Sequence, residues 1–193
     1  MRLKKYTSLF IAMLLSSAIG SVLQAQDTNK DGHDITIKIP EVALLDIEPS
    51  GSTSFTLEPE APTEAGDTLD FSKALNEDLW LNYSSVIGSK SDPERKVTVA
   101  ITNGKVPGGM ELKVTASKDA GNGGGKVGSP GSTLTLSDTD QDLISGIGSC
   151  WTNTPENNGH QLTYKLSLAS GGYENLDFDD ANVLTITYTL TDK

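Results

Sequence analysis

Oxygen-bearing side chains at alternate positions are the first feature of this sequence suited to chemistry. Asp27-x-Asn29-x-Asp31-Gly32 has the opening of a calcium loop, with an oxygen ligand at every second residue and a glycine for the sharp turn. The match then stops. The twelfth position, where such a loop needs a bidentate Glu, is Lys38, and Ile35-Thr-Ile37-Lys-Ile39 reads as a strand. Asp138-x-Asp140-x-Asp142 repeats the oxygen spacing, but Leu143 stands where the turn requires glycine. Asp27, Asn29 and Asp31 are thus the candidate metal ligands. With both loops incomplete, no cofactor is expected, and hydrated acidic turns are the simpler reading.

Other reactive side chains are sparse. His33 and His160 are the only imidazoles, both in polar, turn-like stretches, and Gly-x-Ser-x-Gly is absent. Two distant histidines and one cysteine make a zinc site improbable. Gly123-x-Gly125-x-x-Gly128 copies a dinucleotide fingerprint, but Pro130 and a Thr/Leu run follow it instead of a helix whose N-terminus would face a pyrophosphate. A carboxylate pair for glycoside hydrolysis would depend on spacing in space, and only Trp80 and Trp151 are present to line a sugar cleft. Trp80, between Leu79 and Leu81, reads as core. The stretch Ser149–His160 is long and polar, so Trp151 and His160 are the candidate binding residues. Cys150 has no intrachain partner and reads as a small apolar residue beside Trp151. The chain is expected not to be an enzyme.

The elements that must position these residues are strands. Apolar residues alternate with Thr, Ser, Lys or Glu in Met110-Glu-Leu112-Lys-Val114-Thr-Ala116, so one face is apolar and the other wet. The clearest case closes the chain, where Leu184, Ile186, Tyr188 and Leu190 share one face and Thr185, Thr187, Thr189 and Thr191 the other. The same pattern predicts strands at 35–39, 42–47, 54–57, 79–83, 96–102, 109–117, 133–136, 161–169 and 183–191. Turn pairs such as Asn103-Gly104 and Asn158-Gly159 separate them. The one helical candidate is a turn or two at 71–79, with a brief turn at 138–145, while the glycine run 121–131 reads as a flexible loop or an open hairpin tip. Short strands at this spacing predict an all-β fold, an antiparallel immunoglobulin-like β-sandwich of about seven to nine strands.

The N-terminus has the grammar of a secretory signal peptide. Arg2, Lys4 and Lys5 precede the apolar run Leu9–Leu23, and Leu23-Gln24-Ala25 forms a cleavage site before Gln26. Residues 1–25 are thus expected to be a signal peptide and residues 26–193 a single domain, secreted or at the cell surface, with no stable membrane span after processing. The full chain carries 15 Lys and Arg against 26 Asp and Glu; without the three basic residues of the signal, 12 against 26 leave a net charge of −14. That field repels a phosphate backbone, so nucleic acid is not an expected partner.

The ending Leu184-Thr-Ile-Thr-Tyr188-Thr-Leu190-Thr-Asp192, with the signal peptide and the Thr-rich strands, resembles secreted bacterial surface β-sandwich families, above all WxL cell-wall-binding domains and pilin- or adhesin-like domains. Where the WxL ending carries Trp, this chain has Tyr188, and Trp80-Leu81 lacks the residue between. The resemblance implies a non-enzymatic surface or adhesion protein whose partners are copies of itself or an envelope glycan. The alternative is a monomeric cell-wall or carbohydrate-binding module. Pro40 breaks the run of Ile35, Ile37 and Ile39 and places it at a sheet edge or bend, so if copies assemble the segment 34–47 is the expected interaction element. The alternative, which the pattern fits at least as well, is that this strand completes its own sandwich.

Overall fold

The computed structural model describes residues 29–49, 51–88 and 90–193. The signal segment and Asp27 lie outside them. Internal contacts divide the chain into two units, Met1–Lys38 and Ile39–Lys193. In the first, residues 29–38 are exposed and enter no strand or helix. The strand expected at 35–39 is therefore not formed: its backbone finds no ladder partner, and without one, alternation alone does not make a strand.

The second unit is all-β and antiparallel, with nine strands: β1 (Val42–Glu48), β2 (Leu75–Val86), β3 (Arg95–Asn103), β4 (Met110–Ala116), β5 (Gly124–Pro130), β6 (Leu134–Thr135), β7 (Gln141–Trp151), β8 (His160–Leu168) and β9 (Thr185–Asp192). Among the described residues the only helical turn is the 3-10 turn Tyr173–Asn175. The ladder order is β6-β4-β8-β2-β7-β3-β9, with β1 added to β2 and β5 to β7.

Period-two patterning explains the core. Leu79, Leu81 and Tyr83 of β2, Val97, Val99 and Ile101 of β3, Leu112, Val114 and Ala116 of β4, and Leu162, Tyr164 and Leu166 of β8 are all buried in one cluster. Each set occupies every second position, so a single face of each strand supplies it. The alternating polar residues carry the wet face, where Thr102 and Thr187 share a hydroxyl hydrogen bond of 2.7 Å between neighbouring strands.

Four local expectations are corrected. The helical stretch at 71–79 is instead the approach to β2, which begins at Leu75. The turn expected at 138–145 is the start of β7, an 11-residue strand whose Leu143, Ile144 and Ile147 are fully buried. Gly146 and Gly148 interrupt its alternation and hide it. The glycine loop contains β5, which pairs with β7 from Gly124↔Trp151 to Pro130↔Ile144. At Gly125, φ is +87° and an added Cβ would sit 2.2 Å from the Ser149 carbonyl, so glycine here admits the β7 backbone and does not signal flexibility. The segment expected as a strand at 54–57 has no ladder; Phe55 instead packs on Tyr164 with ring centroids 5.1 Å apart.

One charged side chain is among the most buried in the unit. Arg95, 2% exposed, donates from Nε to Asp192 Oδ1 at 2.8 Å and from Nη1 to the Val86 carbonyl at 3.3 Å. It also donates to the Val42 carbonyl and to the Glu41 carboxylate. The planar guanidinium, with its five donors, thereby ties the start of β1, the end of β2 and the end of β9 to the start of β3. Glu41 and Asp192 are themselves solvent-exposed, so screening limits what their charges add, and the greater cost of losing Arg95 is the unmet carbonyls and the void. Arg95→Ala is expected to lower the unfolding free energy by about 3 kcal/mol in urea titration, whereas Asp192→Asn costs less than about 1 kcal/mol.

Candidate functional site

The two residues expected to share a binding surface part company. Trp151 ends β7 and is 55% exposed, whereas His160 opens β8 and is 0% exposed. The imidazole is a core group. Its Nδ1 lies 2.8 Å from the Ser117 carbonyl and its Nε2 2.8 Å from the Tyr83 hydroxyl, with the two rings stacked at 5.6 Å. Tyr83 also donates to the Val127 carbonyl. In the neutral imidazole, Nδ1–H donates to Ser117 and Nε2 accepts from Tyr83, whose single proton serves both acceptors. Burial holds the His160 pKa below its usual value, opposed by the Ser117 hydrogen bond, and raises that of Tyr83. Neither group reaches solvent as an acid or base.

Cys150 is buried, and desolvation pushes its thiol up to about 11, with the Asp119 carboxylate adding to the effect. It is therefore protonated at neutral pH and a poor nucleophile.

Of the calcium candidates, Asp27 is outside the described residues. Asp31 accepts the Gly32 N–H at 2.8 Å, and both it and Asn29 are exposed. Asp142 of the second candidate is paired with Lys96 at 2.7 Å. Among the described residues no group of three or more His, Cys, Asp or Glu side chains is placed to hold a metal.

Two surface features remain. Around Trp151 lies a depression of about 290 Å³, also lined by Leu44, Asp46, Asn82, Asn153 and Thr154. Its aromatic wall rests on glycine: an added Cβ at Gly124 would come within 2.7 Å of the indole ring. Asn153 sits at φ +73°, its amide donating to the Asn122 carbonyl and its side-chain oxygen accepting from the Thr154 N–H. The sequence pointed to Trp151 but not to the β1 residues beside it.

The second feature is an open groove of about 420 Å³ lined by Leu45, Asp46 and Ile47 of β1, Thr53, and Ile186, Thr187 and Tyr188 of β9. Leu45, Ile47, Ile186 and Tyr188 pack on the core yet stay only half-buried. β1 has β2 as its one ladder neighbour and β9 has β3, so each presents one free backbone edge.

Because the folded state holds His160 with a lowered pKa, its contribution to stability is complete above the unfolded value of about 6.5 and is lost as pH falls through the folded value. Unfolding free energy is therefore expected to fall as pH drops below about 6.5, and His160→Gln should flatten that part of the profile, as denaturant titrations at successive pH values will read. No protein-family model, curated protein or solved structure matches this chain.

Proposed function

We propose that this is an exported, non-enzymatic surface protein of structural or adhesive type, built on an immunoglobulin-like sandwich and assembling through its N-terminal segment. The sandwich reading rests on the ladders: β1, β2, β8, β4 and β6 form one run and β5, β7, β3 and β9 another, joined only where Ser84 and Ser85 pair with Trp151 and Cys150. Export rests on the charged, apolar and small-residue order of residues 1–25.

Assembly rests on one observation. Ile35, Ile37 and Ile39 are 73%, 84% and 79% exposed. Three β-branched apolar side chains at alternate positions, separated by Thr36 and Lys38, carry the pattern of a one-faced strand without forming one. Adding such a segment to a free edge of another molecule would bury that face and pair its backbone.

A second reading, a saccharide-binding module, is favoured by the Trp151 depression. A rigid exposed indole on a glycine floor, with Asp46, Asn153 and Thr154 at its rim, suits the apolar face and hydroxyls of a neutral sugar ring.

Sedimentation and light scattering are expected to show particles heavier than the 20.4 kDa chain, and Ile37→Asp should return them to monomers with an unchanged melting midpoint. A monomeric parent chain would refute assembly. For the second reading, titration with a β-1,4-linked N-acetylglucosamine oligosaccharide should shift tryptophan fluorescence in the parent chain and not in Trp151→Ala.

A further inference from the structure

Where β2 meets β7, the ladders set a carboxylate beside the exposed indole. Leu44 of β1 is opposite Ser84 of β2, and Ser84 is opposite Trp151 of β7, so the three stand in one row across adjacent strands. Their sequence neighbours Leu45, Tyr83 and Cys150 pack in the core, which turns Leu44, Ser84 and Trp151 outward. Asp46, two residues beyond Leu44 and opposite Asn82, shares that outer face. With strands about 4.8 Å apart and a rise of about 3.4 Å per residue, the Asp46 and Trp151 Cα atoms are about 12 Å apart, and both residues line the depression between them.

The lining carries one charge, and it is negative. No Lys, Arg or His is part of it, while Ser84, Asn153 and Thr154 add neutral oxygens. Asp46 is exposed, its Oδ1 accepts the Ile47 N–H at 2.9 Å, and among the described residues no ion pair engages it. The chain's net charge of −11 adds a field of the same sign. A neutral sugar ring makes no use of that charge or that field. A cation is drawn by both, and drawn again by the negative face of an indole. The β5 backbone at Gly124 backs the ring, and Trp151 still keeps 55% of its surface open.

We infer that the Trp151 depression takes an organic cation, an alkylammonium group seated on the indole with Asp46 as its counter-charge. This goes beyond the second reading above and shares with it only the premise that the depression holds a ligand. A quaternary ammonium head satisfies the indole and the carboxylate without any hydrogen bond. The free amine of an amino sugar carries the same charge and has three donors for the oxygens of Asp46, Asn153 and Thr154. Anionic ligands are repelled by the same arrangement.

Calorimetric titration of the full chain with choline and with dimethylbutanol, its neutral carbon isostere, isolates the charge at constant shape. Choline is expected to bind at least about tenfold more tightly than the isostere and to weaken as salt is added. Asp46→Asn should cost choline about tenfold in affinity, and Trp151→Ala should remove its binding heat. Leu44→Lys, which adds a positive charge at a rim position 67% exposed, should weaken choline without moving the melting midpoint. Equal affinity for choline and the isostere, or undiminished choline binding in Asp46→Asn, would overturn the inference. A glucosamine oligosaccharide with its amines protonated and the N-acetylglucosamine oligosaccharide identify the source of the cation. Tighter binding of the free-amine oligosaccharide than of choline assigns an amino sugar, and binding of choline alone assigns a quaternary ammonium head. If the acetylated oligosaccharide binds and neither cation does, the inference falls and the saccharide reading stands; if no probe binds, both fall.

Discussion

The second unit depends on a guanidinium that has no place in an apolar core and yet is 2% exposed. Arg95 is tolerated there because its donors are used: two carbonyls at strand ends and two carboxylates reaching in from the surface. What it joins matters more than its own energy. β1 and β9 are the first and last strands, each supported by one ladder only, and Arg95 fastens the beginning of one to the end of the other. Three to six residues beyond that fastening, the same two strands flank an open groove.

A buried polar network of another kind occupies the β2–β8 side. Tyr83, His160, Val127 and Ser117 satisfy one another across four chain segments. A histidine and a tyrosine so arranged resemble catalytic parts in composition alone, since burial sets both against carrying charge and neither meets solvent. Their work is to specify how β2, β8 and the loop after β4 fit. Thr152 acts similarly, its hydroxyl accepting the Tyr83 N–H at 3.0 Å where β7 crosses to β2.

Edge management differs around the molecule, and this is the physical basis of the assembly reading. β5 and β6 are blunted by glycine, proline and brevity, devices that discourage strand addition. β1 and β9 lack them and keep apolar side chains at their margins. The isoleucines ahead of Pro40 are a separate apolar feature, three alternate side chains left exposed.

Local periodicity was enough to define the all-β class and most of the strands, because one-sided burial writes itself into every second residue, as in Leu112, Val114 and Ala116 or Ile186, Tyr188 and Leu190. It failed where glycine served close approach: β5 and β7 are strands whose glycines admit one another's backbones, a relation between positions about 25 residues apart that no short window contains. It failed in the opposite sense at Ile35–Ile39, where the pattern is present and the ladder is not, since a strand exists only by pairing. Trp151 was visible as a candidate because an aromatic in a polar stretch is conspicuous. That His160 is a core residue, that Arg95 joins the two terminal strands, and that Leu45 and Ile47 lie opposite Ile186 and Tyr188 were decided by tertiary structure alone, because burial and long-range proximity belong to the packed chain and not to its local order.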